Sequence, residues 1–208
     1  MKNILSPLSG LYAISDEILT PIDSILEKAL KVLQGGARLF QLRDKSASDE
    51  EALSIVRKLR ELCDRYGAKL IIDDRVELAK EANGVHIGAL DRPISEARSI
   101  LGSEAIIGVS CYGDLNRAIE AEKLGASYVS FGACFNSATK PNAKVIDHGV
   151  FGEAKSRLKI PICAIGGITT QNAPALLGRG ADMIAIVSDL WKDGDPKQKA
   201  KDFASLWL

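Results

Sequence analysis

A Gly-Ala pair recurs along the chain, and a strand-like apolar run follows each copy at once. The pairs begin at Gly36, Gly67, Gly125 and Gly180, so their spacings are 31, 58 and 55 residues. If each longer spacing contains two units, the repeat is about 28 to 31 residues long, the length of one strand–loop–helix–loop module. Glycine ends helices well because it adopts positive φ freely. The repeat therefore predicts that helices and strands alternate.

Eight strands are predicted, and most of them are nearly all apolar. Between them, charged faces and apolar residues at helical spacing predict helices, for example over residues 24–34, 49–66 and 115–124. Apolar strands of this kind are typical of a parallel sheet covered on both faces. The predicted strands occupy residues 11–14, 39–43, 70–73, 85–87, 106–110, 128–131, 162–165 and 183–187.

Eight such units in 208 residues favour a closed barrel over an open doubly wound sheet. We therefore predict an α/β fold with a single (β/α)8 barrel domain over residues 1–208, the TIM-barrel architecture.

The composition argues against several classes of binding partner and site. Lys plus Arg and Asp plus Glu number 27 each, and this balance disfavours nucleic acid or a membrane surface as a partner. The four cysteines form no Cys-x-x-Cys pair, so neither a zinc site nor a disulfide framework is indicated. No apolar run approaches the ~18 residues that span a bilayer. We expect a cytoplasmic protein that binds small molecules, and homo-oligomerisation stays open.

Candidate site residues follow the predicted strands, because barrel enzymes build their sites from these loops. After the second strand, Gln41, Arg43 and Lys45 place an amide and two cations where a diphosphate could bind, although a solvated charged loop is the alternative. The third strand ends in Asp73 and Asp74.

Asp91 follows the fourth strand. Carboxylates on adjacent loops can hold Mg²⁺, which prefers oxygen ligands and substrate phosphates. The alternative is that the carboxylates cap helices that begin at Arg75 and after Pro93.

The later strands end in small and polar residues. Ser110 closes the fifth strand, where its hydroxyl can donate a hydrogen bond. After the seventh and eighth strands, exposed backbone N–H groups are expected where barrels often bind phosphate. The candidates for phosphoryl oxygens after strands six, seven and eight are Ser137, Thr139, Lys140, Gly166, Gly167, Val187 and Ser188. A plain glycine turn is the alternative for the pair after strand seven.

Two histidines, His86 and His148, have no spaced partner in the sequence. For each, a structural histidine is a better interpretation than a general base.

Taken in order, these strand ends resemble the thiamine-phosphate synthase (thiamine-phosphate pyrophosphorylase) family over nearly the whole chain. The resemblance is carried by Leu-Tyr-Ala-Ile-Ser-Asp from Leu11 and by residues 41–45, 71–75, 84–88, 108–110, 131–140, 164–168 and 187–188. It implies a Mg²⁺-dependent enzyme that joins a pyrimidinylmethyl diphosphate to a thiazole phosphate, giving thiamine phosphate and diphosphate.

The resemblance also implies roles for the candidates. Asp74 and Asp91 would hold the metal, and the pyrimidine diphosphate would contact Gln41, Arg43, Lys45, Ser110 and Lys140. The thiazole phosphate would contact Ser137, Thr139, Gly167, Val187 and Ser188. Among these, Lys140, Ser110 and Lys45 are the catalytic candidates.

The chain departs from the family pattern in two places. Asp73 stands where the family usually has Asn, which adds a negative charge beside the metal and diphosphate. Ala89 and Leu90 stand where polar or acidic residues are usual, and the segment before Asp91 is shorter than typical by roughly two residues.

Three other functions are compatible with the fold. A thiazole tautomerase would isomerise the thiazole phosphate with acid–base groups, but it needs no metal–diphosphate pocket. A class I aldolase needs a lysine inside the barrel, and residues 128–131 offer none. A phosphate-binding protein without turnover remains open, with Asp73 as the change that abolished catalysis.

Overall fold

Eight parallel strands form a closed barrel in chain order, so the predicted fold is confirmed. The structure is a computed structural model, and it describes residues 8–136 and 144–208. The strands are β1 (Gly10–Ile14), β2 (Leu39–Leu42), β3 (Lys69–Asp73), β4 (Gly84–Ile87), β5 (Ile106–Tyr112), β6 (Tyr128–Phe131), β7 (Ile162–Ile165) and β8 (Met183–Ile186). Each predicted strand lies within two residues of an observed one at both ends.

Helices surround the barrel, and they include the three that the periodicity predicts. They are α1 (Ile25–Gln34), α2 (Asp49–Arg65), α3 (Ile94–Leu101), α4 (Leu115–Lys123), α5 (Gly149–Arg157), α6 (Ala173–Leu177), α7 (Ser188–Trp191) and α8 (Pro196–Ala204). Short 3₁₀ helices span Ile22–Ser24, Leu78–Glu81 and Ser205–Trp207. No helix in the described ranges is both long enough and apolar enough to cross a membrane.

The connection from β3 to β4 differs from the alternating pattern. Only the 3₁₀ helix Leu78–Glu81 lies between these strands, and no α-helix begins at Arg75. The ten residues that separate Asp73 from Gly84 are too few for a full crossover helix with its turns. The interpretation of Asp73 or Asp74 as the cap of such a helix is therefore wrong.

The core has two layers because successive strand residues point to opposite sides of the sheet. On β1, Leu11 and Ala13 pack outward against the helices, whereas Tyr12 and Ile14 point into the barrel. Both faces are thus buried, which explains why the strands are nearly all apolar. Inside the barrel, Tyr12 and Tyr128 are the largest side chains and carry polar hydroxyls to its centre.

Two glycines give a matched test of this packing. A Cβ at Gly108 on β5 would lie 2.0 Å from Cζ of Tyr128, whereas one at Gly152 on α5 would meet nothing within 4 Å. We expect Gly108→Ala to lower the free energy of unfolding by about 1–3 kcal/mol through overpacking. Gly152→Ala should raise it by up to ~1 kcal/mol, because alanine is the better helix former.

Urea denaturation of the two variants and the parent chain measures both effects. Equal stability of Gly108→Ala and the parent would show that the Tyr128 ring is free to move aside.

Candidate active site

A chain of hydrogen bonds crosses the interior of the barrel and links two candidate residues. Gln41 Nε2 donates to Tyr12 Oη at 2.7 Å, and Tyr12 Oη lies 2.9 Å from Tyr128 Oη. Tyr128 Oη is hydrogen-bonded to His86 Nδ1 at 2.9 Å, and His86 Nε2 to Ser110 Oγ at 3.0 Å. These residues belong to five different strands. The chain of bonds therefore fixes the side chains of Gln41 and Ser110 relative to each other.

Burial keeps the two tyrosines neutral. Desolvation raises the pKa of Tyr12 and of Tyr128 well above the usual value, so both phenols keep their protons. A buried hydroxyl needs a partner, and here each phenol meets the other. The tyrosine rings meet edge to face with centroids 6.0 Å apart, and the His86 ring stacks on Tyr128 at 5.6 Å.

Both histidines fit the structural interpretation. His86 uses its two ring nitrogens in the interior chain of bonds, and its contact with Ser110 could not be read from the sequence. His148 Nε2 is hydrogen-bonded to the carbonyl of Cys134 at 2.7 Å, and its ring packs on Phe135. It lies at the start of α5 and holds the backbone after β6.

The cations after β2 meet the carboxylates after β3 at the barrel mouth. Lys45 Nζ lies 3.0 Å from Asp74 Oδ2, and Arg43 Nε lies 3.5 Å from Asp73 Oδ2. Asp74 is also hydrogen-bonded to Asp91 from the β4 loop. The structure thus brings together five of the predicted residues. The shorter segment before Asp91 still allows its side chain to reach Asp74.

The carboxylates differ in how readily they ionise. Burial, and then the neighbouring charge of Asp74, raises the pKa of Asp73 to about 6. Burial and the hydrogen bond to Asp91 raise the pKa of Asp74. Burial opposes ionisation of Asp91 too, but the hydrogen bonds from Asp74 and from the Gly88 amide outweigh it and lower its pKa. Asp74 therefore takes up a proton more readily than Asp91 does.

The backbone around these carboxylates does not have the conformation of a helix cap. Asp74 has a φ of 58°, which few residues except glycine, asparagine and aspartate adopt readily, and its N–H donates to the His86 carbonyl. Asp91 Oδ2 accepts a 2.6 Å hydrogen bond from the Gly88 N–H. Helix α3 begins after Pro93 without a side-chain cap. The capping interpretation of Asp91 is wrong, because the carboxylate turns back onto its own loop.

Arg75 and Ser15 hold the β2 loop, and the sequence analysis found neither. Arg75 pairs with Asp49 and donates to the Ala47 carbonyl at 3.2 Å, so it ties the loop that carries Lys45 to the end of β3. The buried Ser15 hydroxyl accepts a hydrogen bond from the Arg43 N–H at 2.7 Å and donates to the Arg43 carbonyl at 3.1 Å.

The glycines after β7 have a packing role in this structure. Gly166 and Gly167 have φ values of 102° and 63°. A Cβ at Gly166 would lie 2.7 Å from Ala133 Cα, and one at Gly167 would lie 2.5 Å from the Asn136 carbonyl oxygen. The β6 loop packs directly against them, so glycine is required here whether or not an anion binds.

Of the remaining candidates, two are described and three are not. Val187 follows β8 and Ser188 begins α7, beside the glycine turn after β7. Ser137, Thr139 and Lys140 lie outside the described residues.

Comparison with known proteins identifies the family. Residues 11–190 match the family model described as Thiamine monophosphate synthase. The chain belongs to this family. A thiamine-phosphate synthase from Thioalkalivibrio sulfidiphilus is 46% identical over 202 residues, which are 96% of each chain. Another from Wolinella succinogenes is 45% identical over 206 residues, covering 96% of this chain and 94% of that one. The resemblance seen in the strand-end motifs is confirmed.

Solved structures agree with this membership of the thiamine monophosphate synthase family. A thiamine phosphate pyrophosphorylase from Pyrococcus furiosus superposes with a TM-score of 0.87 at 36% identity, and 95% of each chain is covered. A (S)-3-O-geranylgeranylglyceryl phosphate synthase from Thermoplasma acidophilum superposes with a TM-score of 0.70 at 16% identity, covering 95% of this chain and 92% of that one. The second likeness shows the barrel fold alone.

The Ser15 hydroxyl offers a test of how firmly this family member holds its β2 loop. We expect Ser15→Ala to lower the free energy of unfolding by about 1–3 kcal/mol, because the Arg43 N–H and carbonyl lose their partner. Ser15→Thr keeps a hydroxyl and should retain most of the stability. Chemical denaturation measures all three proteins.

Ser205→Ala is the matched control, because Ser205 also donates to a carbonyl but is exposed. Its effect should stay within about 0.5 kcal/mol. A Ser15→Ala effect equally small would show that water replaces the hydroxyl at Arg43.

Proposed function

We propose that the chain couples 4-amino-2-methyl-5-pyrimidinylmethyl diphosphate to 4-methyl-5-(2-hydroxyethyl)thiazole phosphate, or to its carboxylated form. The products are thiamine phosphate and diphosphate. The observation that carries the proposal is the meeting of Lys45 with Asp74 and Asp91 at the barrel mouth. Cations beside paired carboxylates suit a diphosphate that arrives with a divalent metal. Membership of the family supports the same reaction.

The pyrimidine diphosphate is assigned to the mouth from β2 to β6. Arg43 and Lys45 supply positive charge for the diphosphate, and Gln41 and Ser110 supply polar groups held by the interior chain of hydrogen bonds. Asp73 lines the same region through its contact with Arg43. Lys140, beyond the described residues, completes this set by resemblance to the family.

Asp74 and Asp91 fit Mg²⁺ as its protein ligands. Their side chains lie within hydrogen-bonding reach of each other, so one hard cation that prefers carboxylate oxygen can contact both. Two carboxylates leave the remaining positions for waters and diphosphate oxygens, as is usual for Mg²⁺. When bound there, the ion would neutralise negative charge on the diphosphate.

The thiazole phosphate is assigned to the opposite part of the mouth. Gly166 and Gly167 follow β7, and Val187 and Ser188 follow the adjacent β8, where barrels often bind phosphate. Ser137 and Thr139 from the β6 loop complete the set by resemblance. A substrate held here can direct its ring nitrogen toward the pyrimidine.

The reaction needs no nucleophile or general base from the protein. The bond between the pyrimidine methylene carbon and the diphosphate oxygen breaks, and its electron pair leaves with the diphosphate. The resulting pyrimidine carbocation is captured by the lone pair of the thiazole nitrogen, which forms the new C–N bond. Lys45 and Lys140 stabilise the departing charge, and Ser110 donates a hydrogen bond at the same end. Holding both substrates in line supplies much of the remaining rate.

The cluster of Lys45, Asp74 and Asp91 also bears on two alternative functions, a thiazole tautomerase and a phosphate-binding protein without turnover. A thiazole tautomerase would not need Lys45, Asp74 and Asp91 together, so their contacts favour the synthase. A phosphate-binding protein without turnover would keep the pocket but release no product.

The proposal is tested by incubating the purified protein with both substrates and Mg²⁺. We expect diphosphate release that depends on the thiazole phosphate, measured with a coupled phosphate assay. Binding of both substrates without release would favour the binding protein, and isomerisation of the thiazole phosphate would favour the tautomerase.

Asp74→Ala should abolish Mg²⁺-dependent release in this assay. The matched control is Asp64→Ala, because Asp64 also pairs with a cation but lies on α2 before β3, at the other end of the barrel. A normal magnesium response in Asp74→Ala would contradict the metal assignment.

Asp73 is the departure from the family pattern, and its neutralisation is informative. We expect Asp73→Asn to keep or raise kcat/KM for the pyrimidine diphosphate, by up to roughly fivefold, because a like charge at ~4 Å costs ~1 kcal/mol even in bulk water. The amide oxygen can still meet Arg43. A loss of more than tenfold would show that the negative charge at position 73 is needed.

A further inference from the structure

Arg117 connects two strand ends of the barrel mouth. Its Nε donates to the Ser110 carbonyl at 2.8 Å, and its Nη2 donates to the Gly88 carbonyl at 3.3 Å. It lies in the first turn of α4, where the Asp114 side chain accepts its N–H at 3.1 Å. The arginine is therefore anchored at its own backbone and reaches the ends of β4 and β5 with its guanidinium group.

The Gly88 contact leads directly to the carboxylate pair. Gly88 accepts from Arg117 through its carbonyl and donates its N–H to Asp91 Oδ2 at 2.6 Å. Asp91 is in turn hydrogen-bonded to Asp74. Arg117 thus lies two contacts from Asp91, and it meets the candidate site directly only at the Ser110 backbone carbonyl.

The β4 loop depends on these polar contacts because it has little apolar anchorage. Ile87 and Ile94 are buried, but Leu90 between them is fully exposed, with 100% of its surface accessible. Ala89 next to it is exposed as well. Burial cannot set the direction of the peptide that follows Gly88, so hydrogen bonds must do so.

The end of β5 is also irregular. The pairing of β5 with β6 shifts register between Ser110 and Tyr112, and Tyr112 has a φ of 55°. Bulges of this kind re-aim side chains beside active sites. By bonding the Ser110 carbonyl, Arg117 fixes the bulge relative to the neighbouring β4 loop.

We propose that Arg117 is a positioning residue for the metal site: it holds the Gly88 peptide so that Asp91 is presented to the divalent cation beside Asp74. The proposal rests on the proposed function, since it takes Asp74 and Asp91 as the metal ligands. Groups that orient a metal ligand typically change metal affinity by about 10–100-fold when they are removed.

Arg98 provides a matched control for a purely structural role. Its guanidinium donates to the carbonyls of Gly102, Ala105 and Gly125 at 2.7 to 2.8 Å. These carbonyls precede β5 and β6, at the opposite end of the barrel from the site. Arg98 therefore makes the same kind of hydrogen bonds to backbone carbonyls as Arg117, but far from Asp74 and Asp91.

The test compares Arg117→Met, Arg117→Lys and Arg98→Met in the full chain. Calorimetric titration of Mg²⁺ into protein with inorganic diphosphate measures metal affinity without turnover, and thermal unfolding measures stability. We expect Arg117→Met to weaken Mg²⁺ binding by about tenfold, with partial recovery in Arg117→Lys. Arg98→Met should lower the unfolding temperature. Its Mg²⁺ affinity should stay within about twofold of the parent, because Arg98 orients no metal ligand.

In turnover assays, the Mg²⁺ concentration for half-maximal rate should rise in Arg117→Met, and saturating Mg²⁺ should restore most of kcat. Parental Mg²⁺ affinity in Arg117→Met, or an equal loss in Arg98→Met, would overturn the inference. If Arg117→Met does not fold, Arg117→Lys decides by the same affinity measurement.

Asp74→Ala in the same titration separates this inference from the proposed function. If Asp74→Ala binds Mg²⁺ as the parent does, the metal site itself is wrong. If Asp74→Ala loses binding but both Arg117 variants retain it, only the role of Arg117 is rejected.

Discussion

The contact between the hydroxyls of Tyr12 and Tyr128 at the centre of the barrel is the interaction on which the site depends. Two phenols in an apolar interior are costly unless each has a partner, and these two lie 2.9 Å apart. Their outer partners, Gln41 and His86, are thereby directed inward and not toward solvent. The hydrogen-bonded side chains beneath the barrel mouth therefore form part of the core, and the packing around them fixes their positions.

At the barrel mouth, ion pairs between neighbouring loops organise the candidate site. The cations that follow β2 pair with the carboxylates at the end of β3. In the proposed function, the carboxylates would hold the metal and the cations would hold the diphosphate. Among the described residues of this cluster, groups of both charges therefore already lie side by side.

The sequence predicts the strands and the barrel well, because uniformly apolar strands and glycine-ended helices are local signals. It also predicts that strand-end residues converge, since parallel strands place their carboxyl ends at one edge. It could not predict that the β3–β4 connection lacks an α-helix, because Asp73 and Asp74 before Arg75 look like a helix start. Only the short distance to Gly84 argues against a helix there.

Contacts between residues that are distant in the sequence could not be predicted either. Ser15, Arg75 and Arg117 act on the backbone of other loops, and nothing in their local sequence reveals which carbonyl or N–H they will meet. For Gly166 and Gly167, phosphate binding stays a prediction, and the structure adds a packing reason for glycine, which is the close approach of the β6 loop. Local patterns identify the residues that present chemical groups, whereas the residues that hold them in place emerge from tertiary packing.

One junction of the barrel differs from the other seven. Each neighbouring pair from β1–β2 to β7–β8 is joined by a continuous stretch of chain, but β8 and β1 meet without one. The Trp191 indole N–H closes this seam near the mouth by donating to the Ile14 carbonyl at 2.7 Å, across 177 positions of sequence. The Gly10 N–H closes its other end on the Asp182 carbonyl. The backbone ladder between β8 and β1 keeps the ring closed without a covalent connection. The Trp191 indole adds a side-chain tie, which holds the turn beginning at Ser188 against the end of the first strand.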